Sequence, residues 1–185
     1  MNQFVCVYCA ASDTIAPAYF DVSARLGRAL AERGDTLVYG GGSRGLMGEV
    51  ARAVHDAGGR VVGVIPKFLL SVEFAFKNAD ELIITEDMRE RKGAMESRAD
   101  AFIALAGGIG TLEEIIEIMT LRQLRQTEKP LVLINTEGFY DPFMVWLRHM
   151  EAGNFLRLPP EDLFYLAHDV DDALEHIDGN AAAMS

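Results

Sequence analysis

The stretch AFIALAGGIGTLEE, residues 101–114, decides the fold. Its first six residues are nearly all apolar, the pattern of a central parallel strand buried on both faces. Gly107, Gly108 and Gly110 then open a loop. Thr111 stands where it can cap a helix, which the pattern predicts over Thr111–Gln126. A strand, a glycine loop and a helix in that order are the working part of a βα unit.

The same unit recurs outward in both directions. Strands are predicted at Phe4–Cys9, Thr36–Tyr39, Arg60–Ile65, Glu81–Thr85, Ala101–Ala106, Leu131–Asn135 and Leu163–Leu166. Amphipathic helical segments lie between them at Pro17–Arg33, Gly45–Ala57, Met88–Ser97 and Pro142–Glu151, and a short one follows near Val170–Ile177. This alternation predicts an α/β fold, a Rossmann-like, doubly wound, mostly parallel sheet of about seven strands. There is no linker, repeat or low-complexity block. Residues 1–178 read as a single domain and GNAAAMS, 179–185, as a flexible C-terminal tail. Pro66–Asp80 reads as an irregular loop.

Composition narrows the function. The 185 residues carry 17 Lys+Arg against 28 Asp+Glu, a formal net charge of −11. Nucleic-acid binding needs a basic footprint, so that partner is excluded. A small anion is still admissible, because backbone amides and a few cations make a local site. No run approaches the ~18 apolar residues of a membrane span. The N-terminus MNQFVCVYCA has no basic segment before a long apolar run, so a cytoplasmic protein without a membrane partner is expected. Cys6 and Cys9 are spaced C-x-x-C, but Cys6 falls inside a predicted strand, so the two side chains start on opposite faces and read as structural. Two cysteines do not build a zinc site, and His55, His149, His168 and His176 are scattered without metal spacing, so no metal is expected.

In an open parallel sheet, ligands bind beyond the carboxyl ends of the strands. Three segments there are chemically loaded. YGGGSRGLMG, Tyr39–Gly48, places Gly40, Gly41 and Gly42 between a strand and a helix. Such a loop either admits a ligand to its amides or simply makes a tight turn. Gly40, Gly42 and Gly45 fit G-x-G-x-x-G, but the next strand ends in Ile65-Pro66, without the ribose-binding acid of a dinucleotide site. AGGIGTLEE, Ala106–Glu114, makes a phosphate-sized nest of bare amides and then presents Glu113 and Glu114. Those carboxylates point about 100° apart, so one of the two faces the ligand. DMRERKGAMESR, Asp87–Arg98, places Arg91 between Met88 and Met95 at helical spacing. Arg91 is then either a half-buried anion anchor or part of a solvated charge run.

Taken together, the three segments resemble the Lonely Guy (LOG) family, the cytokinin-activating phosphoribohydrolases, many of whose bacterial members once carried the label lysine decarboxylase. The family pattern P-G-G-x-G-T-x-x-E, preceded by an R-K pair in a Met-containing helix, is matched by AGGIGTLEE and RERKGAM. GGGSRGLMGEVA and VCVYCAASD are similar as well, over roughly residues 4–150. The departures are Ala106 where the family has proline and Ala10-Ala11-Ser12 where relatives often have Gly-Ser-Ser.

The resemblance implies a hydrolase that cleaves the N-glycosidic bond of a nucleoside 5′-monophosphate, a cytokinin riboside monophosphate or AMP, without a cofactor. It implies Arg91 and Glu114 as the catalytic pair. Substrate would be held by Glu73, Lys92, Gly107, Gly108, Ile109, Gly110, Thr111, Leu112, Glu113 and Thr120, with Gly41 and Gly42 from the first glycine loop. The phosphate would sit on the amides of Gly108–Thr111, Glu114 would attend the anomeric carbon, and Arg91 would keep Glu114 ionised. The resemblance also implies a homodimer or an assembly of dimers, with segments 88–97 and 111–126 in the contact. The alternative is a nucleotide-binding or carrier protein of the same fold without catalysis. The older decarboxylase label implies a Schiff-base lysine, and of the four lysines only Lys92 falls in a motif.

Overall fold

The computed structural model describes residues 2–70 and 75–184, the side chains of 181–184 excepted. Glu73, expected at the substrate site, and Phe74 lie outside the described residues. In chain order the elements are β1 (Phe4–Tyr8), α1 (Pro17–Arg33), β2 (Thr36–Tyr39), α2 (Gly45–Asp56), β3 (Arg60–Pro66), β4 (Glu81–Thr85), α3 (Met88–Arg98), β5 (Ala101–Ala104), α4 (Ile109–Gln123), β6 (Leu131–Ile134), α5 (Asp141–Ala152), α6 (Pro160–Leu163), β7 (Tyr165–Ala167) and α7 (Val170–Met184).

The seven strands form one sheet in the order β4-β3-β2-β1-β5-β6-β7. Every neighbouring pair is parallel, with Val5 opposite Leu37 on one side of β1 and opposite Ala101 on the other. The order reverses between β1 and β5. Connections from β1 lead one way across the sheet and those from β5 lead the other, which leaves a crevice at their carboxyl ends.

Alternating side chains fill the two faces. Val5, Val7, Leu37, Tyr39 and Ile103 pack with Leu26 and Leu30 of α1, Val50 and Val54 of α2 and Ile177 of α7. Cys6, Tyr8, Val38, Phe102 and Ala104 pack with Met95 of α3, Ile115 and Ile118 of α4 and Leu147 of α5. Cys6 and Cys9 are free and fall in opposite layers, as their spacing predicts.

Helix ends follow local chemistry. Pro17 opens α1, and Gly34, at φ 75°, closes it. Asp87 caps α3 by accepting the amides of Arg89 and Glu90. At the C-terminal end the expectation is corrected. The seventh strand is Tyr165–Ala167, because Pro160 starts the one-turn helix α6 where Leu163 was read as extended. Four residues carry no helical periodicity, so this turn was not visible in the sequence. The last helix continues to Met184 rather than ending near Ile177. Lys67–Leu69, inside the expected irregular loop, is a short 3-10 turn.

Gly45 fixes how the β1–α1 and β2–α2 loops meet. It has φ 56°, and a Cβ there would lie 2.5 Å from the Ala11 carbonyl carbon and 2.7 Å from the Ala10 oxygen. Gly58 has φ 77° but open space around it. Gly45→Ala is therefore expected to destabilise by about 2 kcal/mol or more, combining backbone strain with steric contact. Gly58→Ala is expected to lose only about 1 kcal/mol, from φ alone. Urea unfolding of the two variants checks this, and equal losses would show that the loop contact adds nothing.

Candidate active site

The two glycine loops look alike in sequence and are opposites in structure. At the start of α2 the helix amides are already taken. Gly45 N–H donates to Asp13 Oδ1 at 2.7 Å. Leu46 and Met47 N–H both donate to the Ala10 carbonyl, at 2.9 and 3.3 Å. A carboxylate from the β1–α1 loop thus occupies the positive end of α2. At the start of α4 the amides of Ile109, Gly110 and Thr111 have no hydrogen-bond partner among the described residues. The first internal bond belongs to Leu112, which donates to Gly108 O at 3.0 Å. Four N–H groups at a helix start need external partners. Gly108, Gly110 and Thr111 line open space, and a Cβ built on Gly108 or Gly110 meets nothing within 4 Å. Gly107 is different, because a Cβ there would lie 2.1 Å from Thr111 Oγ1.

This open helix start forms one wall of a cleft of about 210 Å³ at the crevice between β1 and β5. Val7 to Ala11 from the end of β1 make the floor. Gly40 and Met47 close one side, Met88, Arg91 and Met95 of α3 another, and Gly108, Gly110, Thr111, Glu113 and Glu114 the last. Thr111 and Glu114 are buried beside it.

Arg91 is more deeply held than the half-buried side chain the sequence suggested, at 6% exposure. Its Nε donates to the Val64 carbonyl and its Nη2 to the Gly40 carbonyl, both at 3.1 Å. A guanidinium has five N–H donors, so some remain for a ligand. A Cβ on Gly40 would lie 1.9 Å from Arg91 Nη2, so glycine is required there to admit the arginine.

Glu114 is 9% exposed, and burial pushes its carboxyl up from 4.5 to about 7. The Arg91 charge pulls it back down, but burial wins. The expectation that Arg91 keeps Glu114 fully ionised is thereby corrected. The carboxyl is poised near neutrality, where an acid–base group works best.

Several expected binding residues stand apart from the cleft. Lys92 is on the neighbouring face of α3 and pairs with Glu113 and, at 3.1 Å, with Glu117 of α4. The hydrogen bond that Lys92 donates to Glu113 leads in raising its pKa, opposite to what a Schiff-base amine needs. Glu113 reaches the cleft wall but spends its carboxylate on Lys92. Gly41 and Gly42 are directed elsewhere. The Gly41 carbonyl accepts the Phe76 amide at 2.9 Å, and Gly42 bridges to Ala75. Only Gly40 of that loop touches the cleft. Ile109 is exposed beyond the rim, with Leu112 beside it. Thr120 bonds back to the Ile116 carbonyl at 2.7 Å and lies on a separate groove shared with Trp146 and Phe155. Of the catalytic pair and the loop, then, Arg91, Gly108, Gly110, Thr111 and Glu114 converge. Tyr8 and Met47 also line the cleft without a motif to mark them, although Tyr8 to Ala11 end and follow the central strand. Asp13 had no local signal at all, lying 32 residues from the amide it caps.

The sequence of the chain matches the family model described as "Possible lysine decarboxylase" over residues 47–177. It is 50% identical over 152 residues to the rice protein named cytokinin riboside 5′-monophosphate phosphoribohydrolase LOG, covering 82% of this chain and 63% of the rice protein, so it spans less than two thirds of that relative. It is 44% identical to the protein from Mycobacterium tuberculosis named cytokinin riboside 5′-monophosphate phosphoribohydrolase, covering 92% of this chain and 90% of that one. Among solved structures, the molybdenum cofactor carrier protein of Chlamydomonas reinhardtii superposes with a TM-score of 0.75 over 98% of this chain and 99% of its own, at 22% identity, a likeness of fold alone. DNA processing protein A of Helicobacter pylori shares the fold more loosely, with a TM-score of 0.55 at 14% identity over 98% of this chain and 81% of its own. The extent of the family match and the identity to these relatives place the chain in the LOG family, the group whose sequence model bears the older decarboxylase description.

Proposed function

We propose that this protein hydrolyses the N-glycosidic bond of a nucleoside 5′-monophosphate to free base and ribose 5-phosphate. The observation that carries the reading is the pairing of unpartnered amides at the start of α4 with a buried carboxyl, Glu114, poised at about 7 in the same cleft. The relatives' names supply the substrate class, a cytokinin riboside 5′-monophosphate.

The 5′-phosphate takes the amides of Ile109, Gly110 and Thr111 as donors, with Thr111 Oγ1 beside them. Arg91 presents its remaining N–H groups to phosphate or ribose oxygens. The base lies towards Tyr8 and the methionines of the opposite wall, a soft apolar surface suited to a flat ring. As the C1′–N bond lengthens, the sugar gains oxocarbenium character. Glu114 orients a water and takes its proton as the oxygen bonds to C1′ and the C1′–N bond breaks, and that proton passes from Glu114 to the departing base nitrogen. The water is consumed and no redox change occurs. Two unpaired buried cysteines suit the reducing cytoplasm that the sequence points to, and among the described residues no helix is long and apolar enough to cross a membrane.

We also read the outer face of α4 as a homodimer contact. Ile109 and Ile116 are exposed there, and the groove lined by Ile116, Thr120 and Trp146 continues the apolar surface. Thr120 lies six residues beyond Glu114, roughly 9 Å along the helix. In a dimer it faces the partner rather than its own cleft.

Three outcomes are expected. Incubated with AMP or N6-isopentenyl-AMP, the protein releases free base, and Glu114→Gln lowers kcat by about 10²-fold while ribose 5-phosphate still binds. Chromatography of the products decides this, and near-normal turnover in the variant removes Glu114 from the reaction. The raised carboxyl also has a stability consequence. Between pH 4.5 and about 7 the folded chain holds a proton the unfolded chain has lost, so stability falls as pH rises through that window. Glu114→Gln is therefore expected to raise Tm at pH 8, by roughly 1–3 kcal/mol of stability, and to change little at pH 4; equal effects at both pH values would contradict the burial argument. Finally, Ile116→Glu is expected to convert a dimer to a monomer in sedimentation velocity, and an unchanged coefficient would move the contact elsewhere.

A further inference from the structure

The amides at the start of α4 are useful only if the backbone leading to them is fixed, and the carbonyls of residues 105 and 106 are held from opposite sides. The Tyr140 hydroxyl donates to the Leu105 carbonyl at 2.7 Å. The Ala10 amide donates to the Ala106 carbonyl at 3.1 Å. Successive carbonyls just before Gly107-Gly108 are thus tied in turn to the β6 side and to the β1 side of the crevice.

Tyr140 is itself immobilised. It is 3% exposed, and its own amide donates to Asn135 Oδ1 at 2.8 Å. Asn135 in turn holds Asp141 Oδ1 through Nδ2 at 2.7 Å. The ring packs edge-on to Phe139, with centroids 5.1 Å apart. Tyr140 lines no part of the cleft, so its hydroxyl reaches the site only through the backbone of Leu105. The Ala106 amide, by contrast, has no hydrogen-bond partner among the described residues. Besides the two carbonyl bonds, only the Leu105 amide, which donates to the Tyr8 carbonyl at 2.9 Å, and packing restrain this stretch of backbone among the described residues.

We propose that Tyr140 is a positioning residue for phosphate: its hydroxyl holds the 105–106 backbone so that the α4 amides converge on the anion. This rests on the reading of those amides as the phosphate seat. Losing the hydroxyl leaves a buried carbonyl unpaired and frees the loop, which weakens an interaction made equally in ground and transition states. Such a loss raises KM and leaves kcat unchanged. A proline at 106 restores the restraint by another route, since it fixes φ and removes an N–H that makes no bond.

The experiment compares the wild-type protein, Tyr140→Phe, Ala106→Pro and the double variant, by AMP hydrolysis and by calorimetric binding of ribose 5-phosphate. Tyr140→Phe is expected to raise KM and the ribose 5-phosphate Kd by roughly three- to ten-fold with kcat within two-fold, the size of one lost buried hydrogen bond. Ala106→Pro in that background is expected to recover most of the loss. Unchanged KM and Kd in Tyr140→Phe, even with a lowered Tm, overturn the positioning role, and so does a loss that the proline fails to recover. If the wild-type protein does not bind ribose 5-phosphate, the phosphate seat itself falls and this inference with it. If it binds but releases no base, the hydrolytic reading falls while the binding comparison still decides the role of Tyr140.

Discussion

The site depends on one constraint, that every helix must find partners for its first few amides. Two helices begin at the crevice where the strand order reverses, and the chain answers differently at each. At α2 the protein supplies both the anion, Asp13, and the carbonyl, Ala10. At α4 it supplies neither. A bare helix start beside a cleft is a donor set waiting for an acceptor, and its positive end selects an anion. Because Ala10 and Asp13 are spent on α2, the β1–α1 loop cannot also fill the α4 end. The closed loop and the open one are two consequences of a single arrangement.

The same crevice sets the electrostatics. Arg91 and Glu114 both line it, which in water would leave the acid ionised. Burial reverses that outcome, because removing the carboxylate from water outweighs the pull of a guanidinium already engaged with two carbonyls. Lys92 also pulls the carboxyl down, but its partners Glu113 and Glu117 push it up. The charge run on α3 is thus divided by helical geometry. Arg91 faces the sheet and Lys92, about 100° around, faces α4.

The strands were legible because a parallel sheet covered on both faces demands apolar runs, and VVGVI, AFIALA and LVLIN meet that demand within a residue or two at their ends. The strand β7 was misplaced because α6 is a single turn set by Pro160, shorter than any periodicity. At the site, the family resemblance pointed to the loop Gly108–Thr111 and to Arg91 and Glu114, and Gly108, Gly110, Thr111, Arg91 and Glu114 line one cleft. The division of labour between the glycine loops was not. It turns on Asp13, far from Gly45 in sequence, and on the bond between Tyr140 and Leu105, 35 residues apart. The pKa of Glu114 was illegible for a related reason. Sequence shows which charges are near, while burial decides whether nearness prevails.

The glycines of the first loop also answer demands internal to the fold. Gly40 must lack a Cβ because the arginine passes through that space. Gly41 must take φ 77° to turn the chain towards β3, and Gly48 must clear the Ser43 carbonyl, which a Cβ would approach to 2.0 Å. Each of these glycines answers an internal demand, and the demand on Gly40 is Arg91. A lysine could reach one of the carbonyls of Val64 and Gly40, but only a forked guanidinium bonds both and keeps donors to spare. Gly40 makes room for the cation that ties the end of β2 to β3 and lines the cleft together with the start of α4.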